Sequence, residues 1–265
     1  MKLVVIGGGR MGGALIRGLI SSGWASPSEL GVVEISEAQR DRLEGGHHGL
    51  ATFRQYDTGM SNDVVLAVKP QDVEMTCLGL ADKSIRRVLS VVAGVTTATL
   101  ESTLDPGTIV VRSMPNIPAL VGHSAAGITR GTLATLEDLD WASGVLHSVG
   151  KAVEVPEDLM DAVTGLSGSG PAYFFLVVEA LVEAGIRVGL DRETAIVLAR
   201  QTFIGAARLL EETGESAEDL RIAVTSPAGT TAAGIAKLDE LKTRESFIAA
   251  VISATQRSKE LGEQS

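Results

Sequence analysis

Apolar and polar positions follow two different rhythms along this chain. Over the first 155 residues, short apolar runs are separated by stretches of helical length. The runs 2–6, 30–33, 63–68, 87–92 and 108–112 are rich in Val, Leu and Ile and read as buried strands. Segments 127–129 and 151–155 read as final strands. Between them, 11–22 carries Ala14, Leu15, Leu19 and Ile20 on one helical face, and helices are also expected from about 71, over 97–104 and over 136–149. Strands alternating with helices predict a doubly wound α/β domain with a parallel sheet over residues 1–155. After Val155 strand patterns disappear. Pro156 opens a helix at the position where its missing N–H costs least, 167–171 reads as a flexible break, and long helices follow over 172–188, 192–212 and 244–261. Helix 172–188 is apolar on most faces, with Phe174, Phe175, Leu176, Val177, Leu181 and Ile186, so it must be covered on most sides. A remainder of about 110 residues has little material to cover it alone. Residues 156–265 are therefore expected to be an all-α domain buried against a second subunit.

The first apolar run ends in Gly7-Gly8-Gly9-Arg10-Met11-Gly12, a G-x-G-x-x-G pattern between a strand and a helix. Gly7 permits the tight turn, Gly9 lets a pyrophosphate approach the backbone, and Gly12 lets the helix pack against the strand. The helix start then faces the phosphates with free N–H groups and the positive end of its dipole.

Composition narrows the function. The chain has 265 residues, 45% hydrophobic and 21% charged, enough for one large domain or two modest ones. A net charge of −10 argues against nucleic acid or an anionic membrane as partner. Cys77 is the only cysteine, which excludes an intramolecular disulfide and a cysteine metal cage, and no metal site is expected. The first apolar run lacks a basic leader and is interrupted at Gly7, so neither a signal peptide nor a membrane span is expected there, and the protein is expected in the cytoplasm.

Further residues carry candidate chemistry. Glu34 ends the second strand about twenty residues past the glycine loop, where an acidic side chain holds the ribose hydroxyls of NAD and repels the extra phosphate of NADP. Arg40 and Arg42 follow on a polar helix and could soften that repulsion. Lys69 and Pro70 follow the strand 63–68 on a loop expected to face the ligand crevice. Asn116, on a loop stiffened by Pro115 and Pro118, either bonds a carboxamide or fixes its own loop. In 224–234, Pro and Gly prevent a helix through the middle, and Thr230 or Thr231 can cap the helix that follows. Free N–H groups there would bind a carboxylate, although an ordinary capped helix fits the same residues. His47-His48 has no carboxylate cluster around it and reads as a solvated loop.

Taken together, these motifs resemble the pyrroline-5-carboxylate reductases. The resemblance covers nearly the whole chain and is carried by Ala67-Val68-Lys69-Pro70, Met114-Pro115-Asn116-Ile117-Pro118-Ala119, the stretch 161–173 (DAVTGLSGSGPAY) and Ser226-Pro227-Ala228-Gly229-Thr230-Thr231. It implies a Rossmann-like domain over 1–155 and a helical dimerisation and substrate-binding domain over 156–265, with dimers that can form a ring. The implied reaction is hydride transfer from NAD(P)H to a cyclic imine, 1-pyrroline-5-carboxylate, giving L-proline. The resemblance places the cofactor against Gly7, Gly9, Arg10, Met11, Gly12, Glu34, Ala67, Val68, Lys69, Pro70, Met114 and Asn116. It places the substrate against Ser226, Gly229, Thr230 and Thr231, with the Thr231 hydroxyl near the ring nitrogen as the catalytic group. NADP(H) is the cofactor implied by the family, and Glu34 makes NAD(H) plausible. Arg10 stands where the family usually has asparagine, and Ala228 where it usually has glycine. A β-hydroxyacid dehydrogenase would also open on such a loop, but that family resembles a different second domain with a lysine on the first interdomain helix, and 172–188 has none. A nucleotide-sensing protein would bind the dinucleotide without needing the 226–231 loop.

Overall fold

The computed structural model describes residues 1–262. Among them, eight strands form one sheet: β1 (Leu3–Ile6), β2 (Leu30–Val33), β3 (Ala51–Phe53), β4 (Asp63–Leu66), β5 (Arg87–Ser90), β6 (Ile109–Met114), β7 (Ser124–Arg130) and β8 (Gly150–Glu154). Their spatial order is β3-β2-β1-β4-β5-β6-β7-β8. The chain begins in the middle, builds outward to β3, returns to β4 beside β1, and builds outward the other way. The order therefore reverses between β1 and β4, the switch point at which open α/β sheets bind ligands.

The expected parallel sheet is parallel at every pairing except β6–β7, which is antiparallel. Only residues 115–123 join these strands, too few for the crossover that a parallel pair needs. Successive strand residues point to opposite faces. Leu3, Val5, Val32, Val65, Leu89 and Val111 pack under α1 (Arg10–Ser21) and α5 (Leu136–His147). Val4, Ile6, Val33, Val64, Leu66, Val88 and Val110 pack under α3 (Val73–Leu80) and α4 (Thr97–Thr103). The polar helix α2 (Glu37–Gly46) buries only Leu43. Strand β3 is absent from the sequence reading because its three residues carry no period.

The described chain beyond Glu154 is helical: α6 (Met160–Val163), α7 (Gly170–Arg187), α8 (Arg192–Thr213), α9 (Ala217–Ala223), α10 (Thr230–Glu240) and α11 (Thr243–Gly262). Helix α9 is too short for its pattern to be read from sequence. The break expected at 167–171 is instead a π-helical turn, Thr164–Gly168, closed by the Ser169 N–H on the Thr164 carbonyl at 2.8 Å. Pro171 is accommodated in the first turn of α7, where a backbone N–H has no acceptor within the helix and its absence costs no bond. Two compact units result, one of Met1–Ser169 with the chain from Ile252 on, the other of Gly170–Val251. In the second unit, α7 and α8 meet through small residues: a Cβ on Gly185 would lie 3.1 Å from Ala195 Cβ. The rings of Phe174 and Phe203 pack at a tilt of 46° with centroids 5.6 Å apart. Only Gly170, Ala195 and Ala199 are buried in this unit, while Phe174, Phe175 and Leu176 are more than half exposed.

A polar cluster around Arg87 is buried in the sheet unit. Arg87 opens β5 and bonds Asp63 of β4 through Nε (3.1 Å) and Nη2 (2.6 Å), bonds Asp138 at 3.4 Å, and lies 4.4 Å over the Trp141 ring. Burial opposes ionisation of both carboxyls. Arg87 and Arg86 nevertheless hold Asp63 below its ordinary value, and Thr135 with Arg87 holds Asp138 below its own. Their contribution to stability is present above the unfolded carboxylate value and is lost as pH falls through the lower folded values. Arg87→Met should cost up to about 3–5 kcal/mol, because it leaves buried Asp138 with no cation and Asp63 with only the more exposed Arg86. Calorimetry from pH 7 to pH 3 should show the wild-type melting temperature falling only below about pH 4. An Arg87→Met protein with unchanged stability would remove this cluster from the fold's supports.

Candidate dinucleotide and substrate sites

The glycine loop sits at the switch point. The Gly7 N–H bonds the Val33 carbonyl at 2.8 Å, and the Ala67 N–H bonds the Ile6 carbonyl at 2.8 Å. The turn is thus tied to both neighbouring strands. Gly7 has φ +102°, and a Cβ there would lie 2.5 Å from the Ala67 carbonyl oxygen and 3.0 Å from the Val68 nitrogen. A Cβ on Gly12 would lie 1.9 Å from the Gly7 oxygen. These two glycines are required by the protein itself. Gly9 differs: a Cβ there would meet nothing within 4 Å. It caps the start of α1 with no side-chain hydrogen bond, and the first N–H bonded within the helix region is that of Gly13, on the Gly9 carbonyl at 2.8 Å. The N–H groups of Arg10, Met11 and Gly12 therefore form an uncapped helix start beside open space, which fits a pyrophosphate. Arg10 is exposed, and Met11 packs partly against the core.

Glu34 reaches the same loop. Its Oε2 accepts from the Gly8 N–H at 2.9 Å and its Oε1 from the Ser36 N–H at 2.8 Å. Gln39 donates to the Gly8 carbonyl at 2.7 Å, and Arg40 Nη1 donates to the carbonyls of Glu34 (2.7 Å) and Ile35 (3.1 Å). Gly8, Ser36 and Gln39 were not singled out by the sequence. The motif leaves position 8 free, yet a Cβ there would lie 2.8 Å from Leu43 Cδ1 and 3.3 Å from Glu34 Oε2.

Ala67 and Val68 are half-buried beside the Gly7 turn, and Lys69 and Pro70 are exposed on the loop that leaves β4. Met114 ends β6 and is half-buried, with its Cε 3.0 Å from where a Cβ on Gly168 would lie. Asn116 is buried. Its Oδ1 accepts from the Ala125 N–H at 3.0 Å and its Nδ2 donates to the Ser167 carbonyl at 2.9 Å. Of the two roles open in the sequence, the geometry favours fixing the loop: the amide joins the β6–β7 connection to the π-turn.

The second site is in the helical unit. The Gly229 N–H bonds the Ser226 carbonyl at 3.0 Å, with Pro227 second and Ala228 third in the turn. Ala228 has φ +58°. A left-handed residue after proline is the type II arrangement, which favours glycine and costs alanine about 1 kcal/mol. A Cβ on Gly229 would lie 2.4 Å from Ser226 Oγ. The cap of α10 is Gly229 with no side-chain bond, so the expected capping by Thr230 or Thr231 does not occur. Both threonines already lie inside the helix, and the N–H groups of Thr230, Thr231 and Ala232 precede its first internal bond, from Ala233 to Gly229 at 3.2 Å. Ser226, Thr230 and Thr231 are exposed. An uncapped helix start with hydroxyls beside it suits a small carboxylate.

The family described as pyrroline-5-carboxylate reductase dimerisation matches residues 157–261, and that described as NADP oxidoreductase, coenzyme F420-dependent, matches residues 2–94. A pyrroline-5-carboxylate reductase of Methanosarcina acetivorans is 45% identical over 98% of each chain. A solved pyrroline-5-carboxylate reductase of Coxiella burnetii superposes with a TM-score of 0.92 at 38% identity, over 98% of each chain. The Plasmodium falciparum pyrroline carboxylate reductase, solved with NADP bound, gives 0.82 at 27% identity over 99% of this chain and 98% of that one. The dimerisation match explains the exposed apolar surface of the helical unit as a self-association surface. The helical stretch Glu157–Arg187, with mean hydropathy 1.3 in its most apolar window, is long and apolar enough by composition to cross a membrane. It lies wholly within that match, and self-association accounts for its apolar side chains.

The glycines give a contrast that can be measured. Gly9→Ala should leave the melting temperature nearly unchanged and weaken dinucleotide binding by about tenfold or more, since the added methyl fills only the ligand's space. Gly12→Ala should destabilise the fold itself, by about 1–3 kcal/mol. Calorimetry and cofactor titration on both variants test this. A Gly9→Ala protein that binds the dinucleotide normally would contradict the placement of the pyrophosphate.

Proposed function

The chain belongs to the pyrroline-5-carboxylate reductase family, and on that premise we infer that it reduces 1-pyrroline-5-carboxylate to L-proline, the last step of proline biosynthesis. It is an NAD(P)H-dependent oxidoreductase acting on a C=N bond. The observation that carries this reading is the span of the match: 98% of the chain, including both the glycine loop and the 226–231 turn.

We assign dinucleotide binding to residues 1–155, and dimerisation with substrate binding to 156–265. When bound, NAD(P)H supplies a hydride from C4 of its nicotinamide to the C=N carbon. The chain's own residues bind and orient. The helix start at Arg10–Gly12 holds the pyrophosphate, and Glu34 the adenosine ribose. Ala67 to Pro70, with Met114, border the dinucleotide. Asn116 acts on it through the loop it fixes. The turn formed by Ser226, Gly229, Thr230 and Thr231 holds the substrate carboxylate through backbone N–H groups, which fixes the ring. The Thr231 hydroxyl faces the ring nitrogen. A protonated imine is already electrophilic, so orientation is the main requirement, and alignment of two bound reactants can lower a barrier by roughly 7–11 kcal/mol. The dimers associate into a ring in solution, and the enzyme works in the cytoplasm. The buried, unpaired Cys77 suits a reducing compartment.

Purified protein should oxidise NADH or NADPH only when 1-pyrroline-5-carboxylate is added, and proline should accumulate in equal amount. Cofactor binding without turnover would contradict the reading. Thr231→Ala should lower kcat/KM for the imine by about tenfold or more, with cofactor affinity unchanged. An unchanged substrate dependence would remove Thr231 from the site. Light scattering should give a mass of several dimers, and a simple dimer would overturn the ring.

A further inference from the structure

The end of α11 packs within the sheet unit, to which the chain from Ile252 on belongs. Ser258 Oγ donates to Asp161 Oδ1 of α6 at 2.6 Å. About one turn further on, a Cβ on Gly262 would lie 3.7 Å from the Gly94 carbonyl oxygen, an ordinary contact distance. Gly94 belongs to the connection 91–96 between β5 and α4. The two ends of that connection are held from within. The Val91 N–H bonds the Leu66 carbonyl at 3.0 Å, and Val92 and Val95 are buried in the cluster under α3 and α4. Just beyond, Thr97 donates to Glu157 Oε2 at 3.3 Å, and the buried Arg112 bonds Oε1 of the same carboxylate. The tip of the connection is different. Ala93 is exposed, and Gly94 is left-handed at φ +76° with open space where a Cβ would stand. The element that approaches this tip is the end of α11.

We propose that Asp161 and Ser258 are positioning residues for the dinucleotide: their bond holds the end of α11 against the Ala93–Gly94 tip, and the tip in turn orders the nicotinamide half of the cofactor. The proposal rests on the reading of the chain as an NAD(P)H-dependent reductase. That reading sets the pyrophosphate at the start of α1 and the adenosine ribose at Glu34, on the β2 side of β1. A dinucleotide lies across the crevice at the switch point, so its nicotinamide half extends the other way, over the ends of β4 and β5. Strand β5 is two strand spacings from β1, about 10 Å, within reach of that half. A tip built on glycine has many conformations open to it, and ordering it when the cofactor binds costs free energy. A tip already held by α11 avoids that cost, so the cofactor binds more tightly and its C4 is kept in one place. Asp161 and Ser258 act through the loop and not by contact with the cofactor.

The test is a double-mutant cycle on the full-length protein, with S258A, D161A, D161A/S258A and, as the conservative variant, S258T. NADH and NADPH are titrated by fluorescence without substrate, and imine reduction is measured separately. S258A and D161A should each weaken dinucleotide binding by about fivefold to tenfold, and the double variant by no more than about twofold beyond the weaker-binding single variant. The kcat should fall as well, while KM for the imine stays within about twofold of wild type, because the 226–231 turn is untouched. S258T keeps the hydroxyl and should restore affinity. Hydrogen exchange at 92–96 should quicken in S258A and slow again with the dinucleotide bound. Normal dinucleotide affinity in both single variants overturns the proposal, as does an additive loss in the double variant. A loss that S258T does not restore, or that comes without faster exchange at 92–96, assigns the bond to general stability and overturns it as well. If D161A folds poorly, S258A and S258T decide alone. Unchanged affinity in variants that still reduce the imine refutes only this proposal. Dinucleotide binding that follows the cycle without any imine turnover refutes only the assigned reaction.

Discussion

The first unit depends on how closely a backbone turn can approach its neighbours. The Gly7 turn is pressed between β4 and the first turn of α1, with clearances that leave no room for a side chain at Gly7 or Gly12. That closeness brings the start of α1 directly to the point where the sheet order reverses, between β1 and β4. The open space at Gly9 and the uncapped N–H groups beside it exist because the turn is closed elsewhere. Glu34 and Ala67 are then brought to the same loop by the two strands that flank β1. Hydrogen bonds from Gly7 to Val33 and from Ala67 to Ile6 fix all three segments in one register.

The helical unit presents the opposite situation. With only Gly170, Ala195 and Ala199 buried, it lacks the core that would hold it as an independent domain. Its apolar side chains are instead a surface for another copy of the chain, in agreement with the dimerisation family it matches. The same unit carries the 226–231 turn, where a left-handed Ala228 and a crowded Gly229 set the start of α10. The Asn116 amide and the π-turn Thr164–Gly168 serve the sheet unit in a related way, because Asn116 holds the Ser167 carbonyl at the point where the helical path leaves the sheet.

Much of this was legible in the sequence because the signals are local. The apolar run at 30–33 coincides with β2, that at 63–68 contains all of β4 and overruns its end by two residues, and the helices over 192–212 and 244–261 coincide with α8 and α11 to within a residue or two. Glu34 could be placed by its distance from the glycine loop alone. What was missed depends on contacts distant in sequence or on backbone geometry. The antiparallel β6–β7 step follows from the length of the connection, and no apolar period marks it. Ser167–Pro171 has the composition of a flexible break, yet the π-turn takes in Ser167 and Gly168 and only Ser169 separates it from α7. Thr230 and Thr231 have the chemistry of caps, but the turn at Ala228 moves the cap to Gly229. The bond from Gly8 to Glu34 has no sequence signal, since any residue satisfies the motif at position 8 and only Leu43 and Glu34 make glycine necessary there.

In this reaction a hydride passes directly from a bound dinucleotide to the ring carbon of a cyclic imine. Isotope transfer tests it most directly. The protein would be supplied with 1-pyrroline-5-carboxylate and with NADH or NADPH carrying deuterium on the transferable C4 position, and the proline formed would be analysed by NMR and mass spectrometry. Direct transfer gives one deuterium per proline, at the ring methylene next to nitrogen and on one face of it. Unlabelled proline, or label spread over other positions, would contradict it.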